Sequence, residues 1–184
     1  AHLDPPPLTA CIASELICAG LNNNLLAEEL SPSLSRLERD LCRWFANCLG
    51  LPSTSSGVAA SGGSLSNLMA LVVARYQAGL NSDPKAVVIA SADAHISFVK
   101  AIRVMGLMDD ALVMVPTDAN GIILLDELDN IFNELNKKGR KCIAVVATAG
   151  TTTRGAIDPL QDLSGYCSGK GVWLHVDAAI GGVF

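Results

Sequence analysis

Four short apolar runs, at residues 86–90, 112–115, 142–147 and 172–176, alternate along this chain with segments whose apolar residues recur at helical spacing. None of the four shows the strict polar–apolar alternation of a strand with one wet face. Strands of that kind belong in sheets covered on both sides, and such sheets are mostly parallel. The intervening segments at 64–79, 95–105, 125–138 and 159–168 supply the covering helices. The order is βαβ, and the expected class is an α/β layer domain with a mostly parallel sheet and flanking helices. Asn81-Ser82-Asp83-Pro84 and Asp118-Ala119-Asn120-Gly121 are turn clusters too short to be domain linkers, and no internal repeat is present.

Ahead of this pattern lies a different one. Leu8, Cys11, Ile12, Leu16 and Cys18 fall at helical spacing after a Pro-rich lead, which predicts a helix over 8–21. Ser31-Pro32 opens a second, with Ser at the cap and Pro in the first turn. Leu34, Leu37, Leu41, Trp44, Phe45 and Leu49 form its expected buried stripe, and Gly50-Leu51-Pro52 stops it. The chain therefore divides into an N-terminal helical segment, 1–50, and a sheet-containing part, 51–184.

Half of the 184 residues are hydrophobic and 17% are charged, enough to bury one core. A formal net charge of −5 and a pI near 5.1 leave no basic stripe for nucleic acid or an anionic membrane, so a small molecule is the expected ligand. No apolar stretch has the length of a membrane span, and the first residues lack a basic-then-apolar leader, which suggests a cytoplasmic protein. The six cysteines (Cys11, Cys18, Cys42, Cys48, Cys142 and Cys167) include no CxxC pair and no histidine at ligand spacing. They read as buried thiols, with no metal site expected.

Chemistry-bearing residues cluster at the ends of the predicted strands. Gly57 to Leu68 places glycines and a serine, Gly62-Gly63-Ser64, where a turn enters a helix, and the exposed amides there favour a phosphate. The GxGxxG spacing of a dinucleotide site is missing. His95 follows the first strand. Thr151 and Thr152 follow Gly150 beyond the third. Asp177 follows Val172-Trp173-Leu174-His175-Val176, a run too apolar for solvent, so its carboxylate should be largely buried and in need of a partner. A protonated pyridine nitrogen is such a partner. His175 shares the Asp177 face of the strand and reads as structural.

Together these residues resemble the pyridoxal-phosphate (PLP) enzymes of fold type I, most closely the group II amino-acid decarboxylases, the family of the aromatic-amino-acid, glutamate, cysteine-sulfinate and 2,4-diaminobutyrate enzymes. The resemblance covers most of the chain. It implies a fold type I large domain and PLP-dependent decarboxylation of an L-amino acid to the amine and CO₂. By the same resemblance, Gly62, Gly63 and Ser64 would form the phosphate turn and His95 would stack on the cofactor ring. Thr152 would contact the cofactor through its hydroxyl, Asp177 would pair with the pyridine nitrogen, and Ala179 would pack beside the ring. His95 and Asp177 would be the catalytic residues. The stretch containing Leu3, Asp4 and Pro5 would approach the substrate, and the N-terminal helices would wrap a partner in a homodimer.

One family feature is missing. The lysine that bonds PLP lies in a His-Lys pair downstream of the aspartate, and none of Lys85, Lys100, Lys137, Lys138, Lys141 or Lys170 follows a histidine. The expectation is a truncated N-terminal part of a longer enzyme, inactive alone. An aminotransferase, lyase or aldehyde synthase on the same scaffold, or a noncatalytic paralogue, remains as the alternative.

Overall fold

The computed structural model describes residues 6–183 and falls into two compact units, Ala1–Ala59 and Ala60–Phe184. The first contains two helices. Helix α1, Thr9–Leu21, ends on Asn22 in the left-handed conformation at φ 47°, whose N–H returns to the Cys18 carbonyl. Helix α2, Pro32–Cys48, has Ser31 at its N-cap position and Pro at its start. The Ser31 hydroxyl, however, makes no capping hydrogen bond, so the proline's fixed φ is what starts the helix. Gly50, at φ 67°, terminates it as expected.

The expected buried stripe of α2 is not buried. Leu37 is 61% exposed and Trp44 57% exposed, and Leu34, Leu41, Phe45 and Leu49 also face solvent. An amphipathic helix buries its stripe only against another apolar surface, and among the described residues none covers these. The cysteines differ from expectation in the same way: Cys11, Cys18 and Cys48 are exposed, and Cys167 alone of the six is buried. All six are free thiols. Burial pushes the Cys142 thiol up to about 12 and raises that of Cys167, so neither is a ready nucleophile.

The second unit is the α/β layer domain. Helix α3, Gly63–Gln77, leads into strand β1, Val87–Ser91; helix α4, Ser97–Val104, into β2, Leu112–Val115; helix α5, Asp126–Lys137, into β3, Cys142–Thr148; and helix α6, Leu160–Lys170, into β4, Trp173–Asp177. A short 3-10 turn, Gly181–Val183, follows. The four strands form one parallel sheet in the order β2-β1-β3-β4.

Alternate residues of the central strands feed two separate cores. Val88, Ala90, Ala144 and Val146 pack with Leu71, Ala74, Phe98 and Ile102 of α3 and α4. Val87, Ile89, Val145 and Ala147 pack with Leu128, Leu135 and Leu163 of α5 and α6 on the other face. All five residues of β1 are buried, which is why its sequence reads as a continuous apolar run. Full burial of a side chain such as Phe98 or Leu71 stabilises by roughly 1.5–3 kcal/mol.

The order of the strands decides where a ligand can sit. From β1 the chain crosses by α4 to β2 on one side, whereas from β3 it crosses by α6 to β4 on the other, with the two helices on opposite faces. The connections leaving β1 and β3 thus diverge between neighbouring strands. In open parallel sheets this switch point, at the carboxyl ends of the strands, opens the crevice used for ligands.

Candidate active site

Every candidate cofactor residue lies in the second unit, and most lie at this edge. His95 sits in the connection leaving β1, two residues ahead of α4 and not in its first turn as the sequence pattern predicted. The imidazole is exposed, and its Nδ1 accepts the Ser97 N–H at 3.2 Å. That bond ends the loop and leaves Nε2 for other work. Lys100 is exposed on α4.

Beyond β3 the chain turns through Gly150, at φ 91°, where a side chain would be strained. Asp158 shapes this loop. Its buried carboxylate accepts the Thr148 N–H at 2.7 Å and the Ile123 N–H at 2.9 Å. Burial nevertheless raises its pKa, because desolvation outweighs the two backbone donors. Thr151 is buried and its hydroxyl accepts the Ala156 N–H, so it serves the loop itself. Thr152 is exposed.

Asp177 closes β4, in register with Thr148 of β3, and is 8% exposed. As β4 residues alternate, His175 and Asp177 fall on the face of the sheet that α3 and α4 cover. Asp177 Oδ2 accepts a hydrogen bond from Asn67 Nδ2 at 2.9 Å, and Oδ1 accepts the Ala179 N–H at 3.2 Å. His175 Nε2 lies 2.9 Å from Asn67 Oδ1, and its ring packs edge-on against Phe98. Burial lowers the His175 pKa, against a smaller opposing pull from Asp177.

Gly62, Gly63 and Ser64 form the N-terminus of α3. Gly62 is the cap residue, with its carbonyl taken by Leu65 and Ser66, and no side chain caps the helix. The Gly63 and Ser64 amides therefore have no partner of their own within the helix. A Cβ placed on Gly63 would lie 3.6 Å from the Ala179 Cβ, so this turn stands against the segment that follows Asp177. The structure thus brings Gly62–Ser64, Asp177 and Ala179 together, with His95 and Thr152 on the two connections that flank the switch point. Leu3, Asp4 and Pro5 lie outside the described residues.

This donor set suits a phosphorylated cationic heteroaromatic. It offers uncapped helix amides for an anion and a buried carboxylate for a cation, on a sheet edge where the Thr148 hydroxyl is buried without a hydrogen-bond partner among the described residues. Among those residues no group of His, Cys, Asp and Glu side chains could hold a metal ion.

Comparison with known proteins decides the family. The sequence pattern described as "Pyridoxal-dependent decarboxylase conserved domain" matches residues 7–184. The chain belongs to the pyridoxal-dependent decarboxylase family. It is 36% identical over 182 residues to the L-2,4-diaminobutyrate decarboxylase of Rhizobium meliloti (strain 1021), covering 99% of this chain and 37% of that protein. To the human cysteine sulfinic acid decarboxylase it is 33% identical, covering 98% and 37%. Among solved structures, the glutamate decarboxylase domain of a Vibrio parahaemolyticus protein superposes with a TM-score of 0.91 at 30% identity, covering 99% of this chain and 42% of that one. A Catharanthus roseus tryptophan decarboxylase in complex with L-tryptophan superposes with a TM-score of 0.87 at 27% identity, covering 96% and 40%. The chain thus spans well under half the length of these relatives. The fold is that of the PLP decarboxylases, and PLP is the cofactor of the family.

Asn67 and Asp158 were not singled out from the sequence. Asn67 had a signal: it shares a helical face with Leu71 and Ala74, and an amide on a core-facing stripe needs partners. Asp158 gave none, since Asp-Pro before a helix is ordinary turn chemistry.

Proposed function

We propose that the protein carrying this chain is a PLP-dependent carboxy-lyase that converts an L-amino acid to its amine and CO₂. The observation that supports this most is the buried Asp177 carboxylate at the carboxyl end of β4, beside the sheet's switch point. When bound, the cofactor supplies an electron sink for the electron pair left as the Cα–carboxylate bond breaks.

Each residue has a part in that reading. Asp177 keeps a proton on the ring nitrogen by setting a negative charge against it. His95 covers the ring and holds or moves a proton at Nε2. The amides of Gly63 and Ser64, with Gly62 and the Ser64 hydroxyl, grip the phosphate. Thr152 adds a hydroxyl contact from the loop after β3, and Ala179 is small enough to leave the ring its space. The six lysines of this chain do not include one preceded by His, so the bonding lysine belongs to a part of the enzyme outside residues 1–184. Without it these residues alone are inactive.

Assembly and location belong to the same reading. The exposed apolar stripes of α1 and α2 support a homodimer, with the partner subunit as their cover. Among the described residues no helix is long and apolar enough to cross a membrane, and with the acidic surface this supports a cytoplasmic enzyme of amino-acid metabolism acting on small molecules and not on nucleic acid or membranes. The family pattern, the two curated relatives and the tryptophan-bound structure named above are all of decarboxylases, which favours this chemistry over transamination or aldehyde synthesis. Product analysis tests it: the PLP-loaded enzyme should yield primary amines from one class of L-amino acids. Accumulation of 2-oxo acids with no amine would remove the decarboxylase assignment while leaving the fold in place.

A further inference from the structure

The polar network beneath Asp177 has a single hub. Asn67 stands in the second turn of α3, on the buried face, and is 5% exposed. An amide so placed destabilises unless its hydrogen-bonding capacity is used. Its Nδ2 lies 2.9 Å from Asp177 Oδ2 and 3.0 Å from Ser97 Oγ, and its Oδ1 lies 2.9 Å from His175 Nε2. One side chain therefore joins α3, α4 and β4 at the end of the strand that carries the buried carboxylate.

The chemistry of the partners makes this arrangement one-way. An ionised carboxylate only accepts hydrogen bonds, so the amide nitrogen must face Asp177. The amide oxygen then faces the imidazole, which must carry its hydrogen on Nε2. A neutral His175 satisfies that requirement, and burial keeps its pKa below the ordinary value. Turning the amide over would set its oxygen against the carboxylate. With Oδ2 held by Asn67 and Oδ1 by the Ala179 N–H, the carboxylate has a donor on each oxygen and its plane is fixed.

We propose that Asn67 is a positioning residue for the partner of the pyridine nitrogen: it locks the plane of the Asp177 carboxylate and, through His175, is itself locked against turning. This rests on the proposed function, which sets Asp177 against the ring. Asn67 touches neither cofactor nor substrate in this scheme. It acts through the orientation of Asp177, so its removal alters how the ring proton is held and leaves the phosphate grip alone.

The test uses the complete enzyme loaded with PLP labelled with ¹⁵N at the ring nitrogen. In wild type the resonance should lie at the protonated-pyridine position. Asn67→Leu, close in size but unable to donate, should move that resonance towards the neutral position and lower kcat about tenfold to a hundredfold, the worth of a hydrogen bond to a charged group, with KM little changed. Asn67→Ser is smaller than the native side chain, cannot overpack the site, and should move the resonance in the same direction. A purely structural Asn67 would lower the melting temperature and leave the resonance in place, and a wild-type resonance and kcat in either variant overturns the proposal. Asp177→Ala separates the two levels of the argument. If it shifts the resonance and the Asn67 variants do not, only the role of Asn67 fails. If it too leaves the resonance unchanged, the placement of Asp177 against the ring fails, and this proposal with it.

Discussion

Residues 1–59 and 60–184 are comparably rich in apolar side chains, yet they use them differently. Strand β1 buries all five of its residues, whereas α1 buries none of its thirteen and α2 buries only Ser35 and Ala46 of seventeen. In the sheet unit the central strands β1 and β3 find helices on both faces within the same hundred-odd residues. The edge strands β2 and β4, expected to be covered on both sides as well, leave Met114, Trp173 and Val176 exposed because each has a neighbour strand on one side only. In the helical unit the stripes of Leu, Trp and Phe face solvent, an arrangement a stable soluble monomer rarely keeps. The contrast separates hydrophobicity that folds a chain on itself from hydrophobicity left exposed, which the proposed homodimer would cover.

Substitutions can break or sharpen that contrast. The largest effect on stability should come from Phe98→Ala in the sheet unit, which removes a fully buried ring next to His175 and should cost roughly 3–5 kcal/mol in chemical denaturation. A cost under about 1 kcal/mol there would mean that the two-faced core is looser than its burial indicates. On activity, Asp177→Ala in the complete enzyme should lower kcat by about 10²–10³, the range seen for loss of one preorganised electrostatic group, and by far more than Asp177→Glu lowers PLP occupancy. Near-wild-type turnover would show that the carboxylate does not face the ring.

Smaller effects follow. Asp158→Asn sets an amide –NH₂ against one of two backbone N–H donors and should cost about 1–3 kcal/mol. Leu37→Ser on α2 should change the stability of the monomeric species by no more than about 0.5 kcal/mol while weakening self-association in sedimentation, the reverse of the Phe98 result. A large loss of monomer stability would show that the α2 stripe already has its cover. The smallest effect concerns pH. The folded-state pKa of His175 is lowered from the usual 6.5, so the unfolded chain takes up that proton first as pH falls. The contribution to stability is complete above pH 6.5 and is lost as pH drops through the lowered folded value. His175→Gln should flatten that part of the stability–pH curve in melts between about pH 5 and 8, and an unchanged slope would place His175 in solvent.

Much of the second unit was legible because its signals are local. Strand β2 was read to the residue, and β1, β3 and β4 to within one, since a short apolar run between turn residues marks a strand whether it lies at the centre of the sheet, as β1 and β3 do, or at a partly exposed edge, as β2 and β4 do. Asp177 was legible for the same reason: a lone carboxylate after Trp-Leu-His-Val has to be buried, and it is. The α2 stripe was misread because periodicity tells which face of a helix is apolar and not whether anything covers it. The cysteines were misread similarly, three of the six lying exposed on α1 and α2. Asn67 was passed over because its meaning depends on two residues 108 and 110 positions further along the chain, a relation no window of sequence contains.

In the proposed function this sheet edge, with Asp177 at the end of β4, serves to release a carboxylate as CO₂. The most direct measurement supplies the complete PLP-loaded enzyme with L-amino acids labelled at the carboxyl carbon and counts label in the gas phase. Labelled CO₂ should appear from at least one class of amino acid and be abolished, or nearly so, in Asp177→Ala. Label retained in solution across a broad panel, in an enzyme shown to hold PLP, would contradict the proposed function.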